Sequence, residues 1–97
     1  MSAPSWEKVI AILKKYNRFI LGCHLYPDGD AIGSLLALGL ALMKTGKQVE
    51  MVLPEGIPLT FDFLPGIHQT VTAPSLQPEV IVSLDFAERA QIGRAHV

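Results

Sequence analysis

The chain has 97 residues, 49% of them apolar, and a formal net charge of -1. That length predicts one small domain or a part of one, able to build a core but not a complete two-sided one. The balanced charge excludes an overall basic field that would draw the chain to nucleic acid or a membrane surface, so an anionic substrate has to be met by a local site or a bound metal. The longest near-continuous apolar stretch, 35–43, is far too short to cross a bilayer. The N-terminus lacks the basic start and apolar core of a signal peptide. Cys23 is the only cysteine, which excludes an internal disulfide. A cytoplasmic protein without a membrane partner is expected.

In chain order, Ser5 caps a first helix whose apolar positions Trp6, Val9, Ile10, Leu13 and Tyr16 fall at helical spacing, with Glu7 in its first turn and Lys14 and Lys15 near its end. Residues 18–23 read as a strand, and Cys23 at its end reads as a buried thiol rather than a nucleophile. Residues 31–44 read as a helix apolar on nearly every side, through Ile32, Leu35, Leu36, Leu38, Leu40, Leu42 and Met43, and therefore buried on more than one face. Gly33 and Gly39 cost that helix propensity, so something should approach its backbone closely; at Gly33 this is either a phosphate on the first-turn amides or the sheet.

Gly46 ends the helix, and 48–53 reads as a second strand, completing a strand-helix-strand crossover and implying a parallel sheet. Residues 54–78 are rich in turn formers, with Phe61, Phe63 and Leu64 apolar enough to dock and 70–72 forming a short strand. His68, with no carboxylate near it in sequence, reads as surface or core decoration. Residues 80–84 read as a third strand of the buried parallel type, with Asp85 at its carboxyl end. The whole is α/β: a parallel sheet with helices on both faces, in a single domain spanning 1–97.

His24, Asp28 and Asp30 form the most informative constellation. A histidine and two carboxylates within seven residues, on a turn tightened by Pro27 and Gly29, can converge on a hard divalent cation. They fall between a strand and a helix, the end of an open α/β sheet where ligands bind. Asp85 falls on the same edge. A calcium loop of the EF-hand kind does not fit, because counting Asp28 as position 1 puts Ile32 at position 5 and Gly39 at position 12. A purely structural alternative makes Asp30 an N-cap, Asp28 a turn residue, and Asp85 a cap for whatever begins at Phe86.

The segments His-Leu-Tyr-Pro-Asp-Gly-Asp-Ala-Ile-Gly-Ser (24–34) and Ser83-Leu84-Asp85, with Leu53-Pro54 and Phe63-Leu64-Pro65-Gly66 between them, resemble the DHH family of RecJ-like phosphoesterases, in the branch of bacterial nanoRNase and 3'-phosphoadenosine 5'-phosphate phosphatase. The resemblance runs from Trp6 to Gly93. It implies a hydrolase acting with two manganese ions on short oligonucleotides or on 3'-phosphoadenosine 5'-phosphate. Carried over by position, one ion is bound by His24, Asp28 and Asp85, the other by Asp30 with Asp85 bridging; Asp30 and Asp85 act in catalysis through the metal. The family's third motif, Asp-His-His, does not occur in the chain, so an incomplete catalytic domain, inactive by itself, poorly soluble or partly molten, and with an uncovered edge strand after Asp85, is expected. Homodimer formation stays open for the full-length protein. Residues 92–97 read as the translation of a common sequencing adapter and are expected not to be native. Two further readings remain: a manganese inorganic pyrophosphatase, which usually has threonine where this chain has Gly29, and a non-catalytic nucleotide- or metal-binding domain.

Overall fold

A computed structural model describes residues 5–23, 28–85 and 89–93, with side chains described through 84. Two helices, α1 (Trp6–Lys15) and α2 (Gly29–Lys44), and four strands, β1 (Arg18–Cys23), β2 (Gln48–Val52), β3 (Val80–Asp85) and β4 (Arg89–Gly93), make an α/β fold. The strand order is β2-β1-β3-β4. β1 pairs parallel with β2, Arg18 opposite Gln48 through Gly22 opposite Val52, and with β3, Phe19 opposite Val80 through Cys23 opposite Leu84. The three parallel strands are those the sequence predicts. β4 is the addition: it runs antiparallel beside β3, from Ile81 opposite Gly93 to Asp85 opposite Arg89. The edge of β3 is therefore covered, against expectation, by β4; Phe86, where the capping alternative for Asp85 falls, lies outside the described residues.

Side chains alternate across a strand, so Phe19, Leu21, Met51, Val80 and Val82 share one face, and all are buried. Ile32, Leu35, Leu36 and Leu42 of α2 complete this core, and Ile12, Leu13 and Tyr16 of α1 pack against it. Each fully buried side chain of this size contributes roughly 1.5–3 kcal/mol. α1 begins at its expected cap, where the Ser5 hydroxyl accepts from Lys8 N at 3.3 Å. Its half-buried stripe, however, is rotated: Trp6 and Ile10 are 79% and 48% exposed, whereas Ile12 packs against the core, and no residue of α1 is fully buried. Gly46, at φ +88°, stops α2 as expected.

The amino-terminal ends of the strands are stitched together. Glu79 Oε1 accepts from the backbone of Asn17 and Arg18 at 2.8 and 3.1 Å, and Arg18 Nε donates to Gln77 O at 2.9 Å. Lys47 Nζ donates to Lys14 O and Tyr16 O at 3.0 and 2.8 Å, satisfying carbonyls at the end of α1. The segment after β2 contains two single-turn helices, η1 (Leu59–Phe61) and η2 (Ile67–Gln69). The short strand expected at 70–72 shrinks to one bridge, Val71 to Val52, held by Val71 N to Met51 O at 2.9 Å and Leu53 N to Val71 O at 2.8 Å.

Among the described residues, no helix is long and apolar enough to cross a membrane.

Candidate metal centre

The carboxyl ends of β1 and β3 are neighbours, because Cys23 lies opposite Leu84. α2 begins at the same edge. Asp28 is its N-cap, with extended backbone (φ -83°, ψ 179°), and Oδ1 accepts from Ala31 N at 2.9 Å. The structural alternative assigned that cap to Asp30; the helix starts two residues earlier than its apolar pattern suggests, and the cap moves to Asp28. Asp30 instead lies in the first turn, exposed, where the positive end of the helix dipole favours a carboxylate.

Asp28 is exposed, and among the described residues its second oxygen has no protein donor. It is close enough to Cys23 for its charge to act there: burial, and secondarily the Asp28 carboxylate, push the Cys23 thiol above its ordinary value. A half-buried thiol held protonated is a poor nucleophile, in keeping with its structural reading. Two carboxylates two residues apart at the start of α2, one oxygen of Asp28 spent on the cap and the others open to solvent, offer the oxygen ligands that a hard divalent cation takes.

Of the four predicted ligands, His24 lies outside the described residues. Asp85 is described only in its backbone, as the last residue of β3. Among the residues described, no group of three or more His, Cys, Asp or Glu side chains converges; the pair that is described, Asp28 and Asp30, accounts for two of the four. His68 is exposed in η2, as decoration should be.

The glycines divide. Gly39 is approached by Met51 and Leu21 across the sheet, as its cost to the helix suggests. Gly33, which the start of α2 at Gly29 puts just past the first turn rather than in it, is exposed, and among the described residues nothing lies within 4 Å of where a Cβ would stand, so no described neighbour supports the packing explanation. Phe61 is the residue beside the site that sequence reasoning passed over. A Cβ on Gly29 would meet the Phe61 ring at 3.3 and 3.4 Å, so an aromatic side chain from η1 lies on the backbone between the two aspartates. Its only signal in sequence was the apolar character of Phe61 in a turn-rich segment. A scan against models of known protein families finds none that matches the chain.

Proposed function

We propose that the chain carries the first two motifs of a cytoplasmic, manganese-dependent phosphoesterase of the DHH family, hydrolysing short oligonucleotides or 3'-phosphoadenosine 5'-phosphate, with His24, Asp28, Asp30 and Asp85 as metal ligands. One observation supports this most: β1 and β3 are adjacent and parallel, and α2 starts where β1 ends, so the motif that opens α2 and the motif that ends β3 belong to one edge of the sheet. Divalent ions there would neutralise charge on a phosphoryl group and lower the pKa of an attacking water. Asp28 and Asp30 would supply oxygen ligands from the start of α2. The pyrophosphatase reading is disfavoured by Gly29, where that family usually has threonine and where a Cβ would already stand 3.3 Å from the Phe61 ring.

The test begins with manganese binding, by calorimetry on the purified chain. Saturable binding that Asp28→Asn, Asp30→Asn and Asp85→Ala each weaken at least tenfold is the expected result; absence of binding sinks the reading. The reading frame past codon 97 is then sequenced, and a product containing Asp-His-His assayed on dinucleotides, 3'-phosphoadenosine 5'-phosphate and pyrophosphate. Because Asp85 is assigned to both ions and His24 to one, Asp85→Ala should lower kcat more than His24→Gln. Near-normal turnover by Asp85→Ala would discard the bridging role, and turnover of pyrophosphate alone would favour the pyrophosphatase.

A further inference from the structure

We propose that Phe61 is a positioning residue for the acidic turn: its ring, seated on Gly29, fixes the spacing of Asp28 and Asp30 and so sets the affinity of the cation site. The inference rests on the metal-binding reading above and goes beyond it, since Phe61 is no ligand and belongs to neither motif.

The contact is specific. Among the described residues outside its own helix, the neighbours within 4 Å of the position a Cβ would take on Gly29 are Cε1 and Cζ of Phe61, at 3.3 and 3.4 Å. The ring is not free to swing away. It packs against the hydrophobic core, and the backbone of Phe61 is held on both sides, its N–H donating to Pro58 O at 2.9 Å and its carbonyl accepting from Leu64 N at 3.1 Å. A second contact clamps the same segment to α2: Gly66, at φ +82°, brings its backbone against Leu40, whose Cδ1 is 2.9 Å from an ideal Cβ position. The segment 59–69 therefore bears on α2 at its first residue and again near its middle. Asp28, on one side of Gly29, is fixed by its cap bond to Ala31. Asp30, on the other side, has no such side-chain bond among the described residues, so the ring beneath the intervening backbone is the contact that bears on its placement. Groups that hold metal ligands in place without touching the metal are commonly worth about 10–100-fold in affinity. An added methyl on Gly29 shifts ring or turn by a few tenths of an ångström.

The experiment measures manganese chloride binding and thermal unfolding without metal for Phe61→Ala, Gly29→Ala, the double variant Gly29→Ala/Phe61→Leu, and Leu64→Ala. Leu64 docks on the same core but does not touch Gly29, so it reports what loss of packing alone does. Phe61→Ala and Gly29→Ala should each weaken manganese binding about tenfold. The double variant, with a smaller side chain over the new methyl, should recover most of that loss, and Leu64→Ala should bind as the parent does even where its unfolding temperature drops as far. Unchanged binding by Phe61→Ala, or equal weakening by Leu64→Ala, overturns the positioning role while leaving the metal site standing. No binding by the parent chain overturns both.

Discussion

Gly33 and Gly39 lie six residues apart in one helix, and the same substitution should act on them with opposite sign. Alanine at Gly33 enters open space on an exposed turn, so it should stabilise by about 0.5–1 kcal/mol through helix propensity alone. Alanine at Gly39 runs into the Met51 thioether and should destabilise by about 1–3 kcal/mol. Urea denaturation of both variants checks this, and a destabilised Gly33→Ala would show that this face of α2 is packed. At this scale the sequence is legible where residue types are chemically distinctive. His24, Asp28, Asp30 and Asp85 are marked out by the chemistry that metals require, and for Asp28 and Asp30 the structure finds exposed carboxylates at the start of α2. Phe61 was not legible as part of the site, because an aromatic residue among prolines and glycines looks alike whether it covers a core or the turn between two carboxylates.

At the scale of elements, strands β1 and β3 and the crossover were readable from continuous apolar runs and from Gly46, since such runs fit only a sheet buried between neighbours. The α1 stripe was misread: Trp6 and Ile10 satisfy helical spacing as well as Ile12 does, and spacing cannot choose between overlapping stripes. β4 was unreadable even though its pairing with β3 is local, because five mostly polar or small residues do not announce a strand. The segment after Val71 shows how a loop can be fixed without a core. Glu50 Oε1 accepts from Ser75 N and Leu76 N at 2.8 and 2.9 Å, and Oε2 from the Ser75 hydroxyl at 2.7 Å. The Ser75 hydroxyl first, then the two amides, hold the Glu50 carboxyl below its ordinary range. The unfolded chain therefore binds a proton at higher pH than the folded one, so this contribution is complete above the ordinary carboxylate pKa and fades as pH falls through the lowered value. Glu50→Gln should flatten the acid limb of stability against pH while changing stability at pH 7 by no more than about 1 kcal/mol, given the exposure of the site. An unchanged acid limb would mean that the staple does not persist in solution. Leu35→Ala, at a fully buried α2 position, is the contrasting case: a loss of about 2–5 kcal/mol at every pH, read from the same titrations.

For the molecule as a whole, the balance lies between a well-filled core and an apolar exterior. Trp6, Leu59 and Phe63 are 79%, 87% and 74% exposed, and Ile20 and Ile81, on the sheet face opposite the core, are only half-buried. A formal net charge of -1 supplies almost no repulsion to keep copies apart. The chain should therefore associate as its concentration rises, with its folded core intact: isolated exposed apolar side chains contribute little to stability, yet each loses unfavourable hydration when two surfaces meet. Trp6→Glu combined with Phe63→Ser tests the two halves of that statement separately. Sedimentation velocity should show the associating fraction fall and the soluble concentration rise, while thermal unfolding shifts by no more than the equivalent of about 0.5 kcal/mol per site, the usual range for surface substitutions. If association persists and unfolding is broad in both proteins, the cause is a loosely packed core rather than the surface, and the well-packed cluster around Phe19, Leu21 and Met51 does not hold in solution. If association persists while unfolding stays sharp, the contact lies on the opposite sheet face, and Ile81→Thr should relieve it.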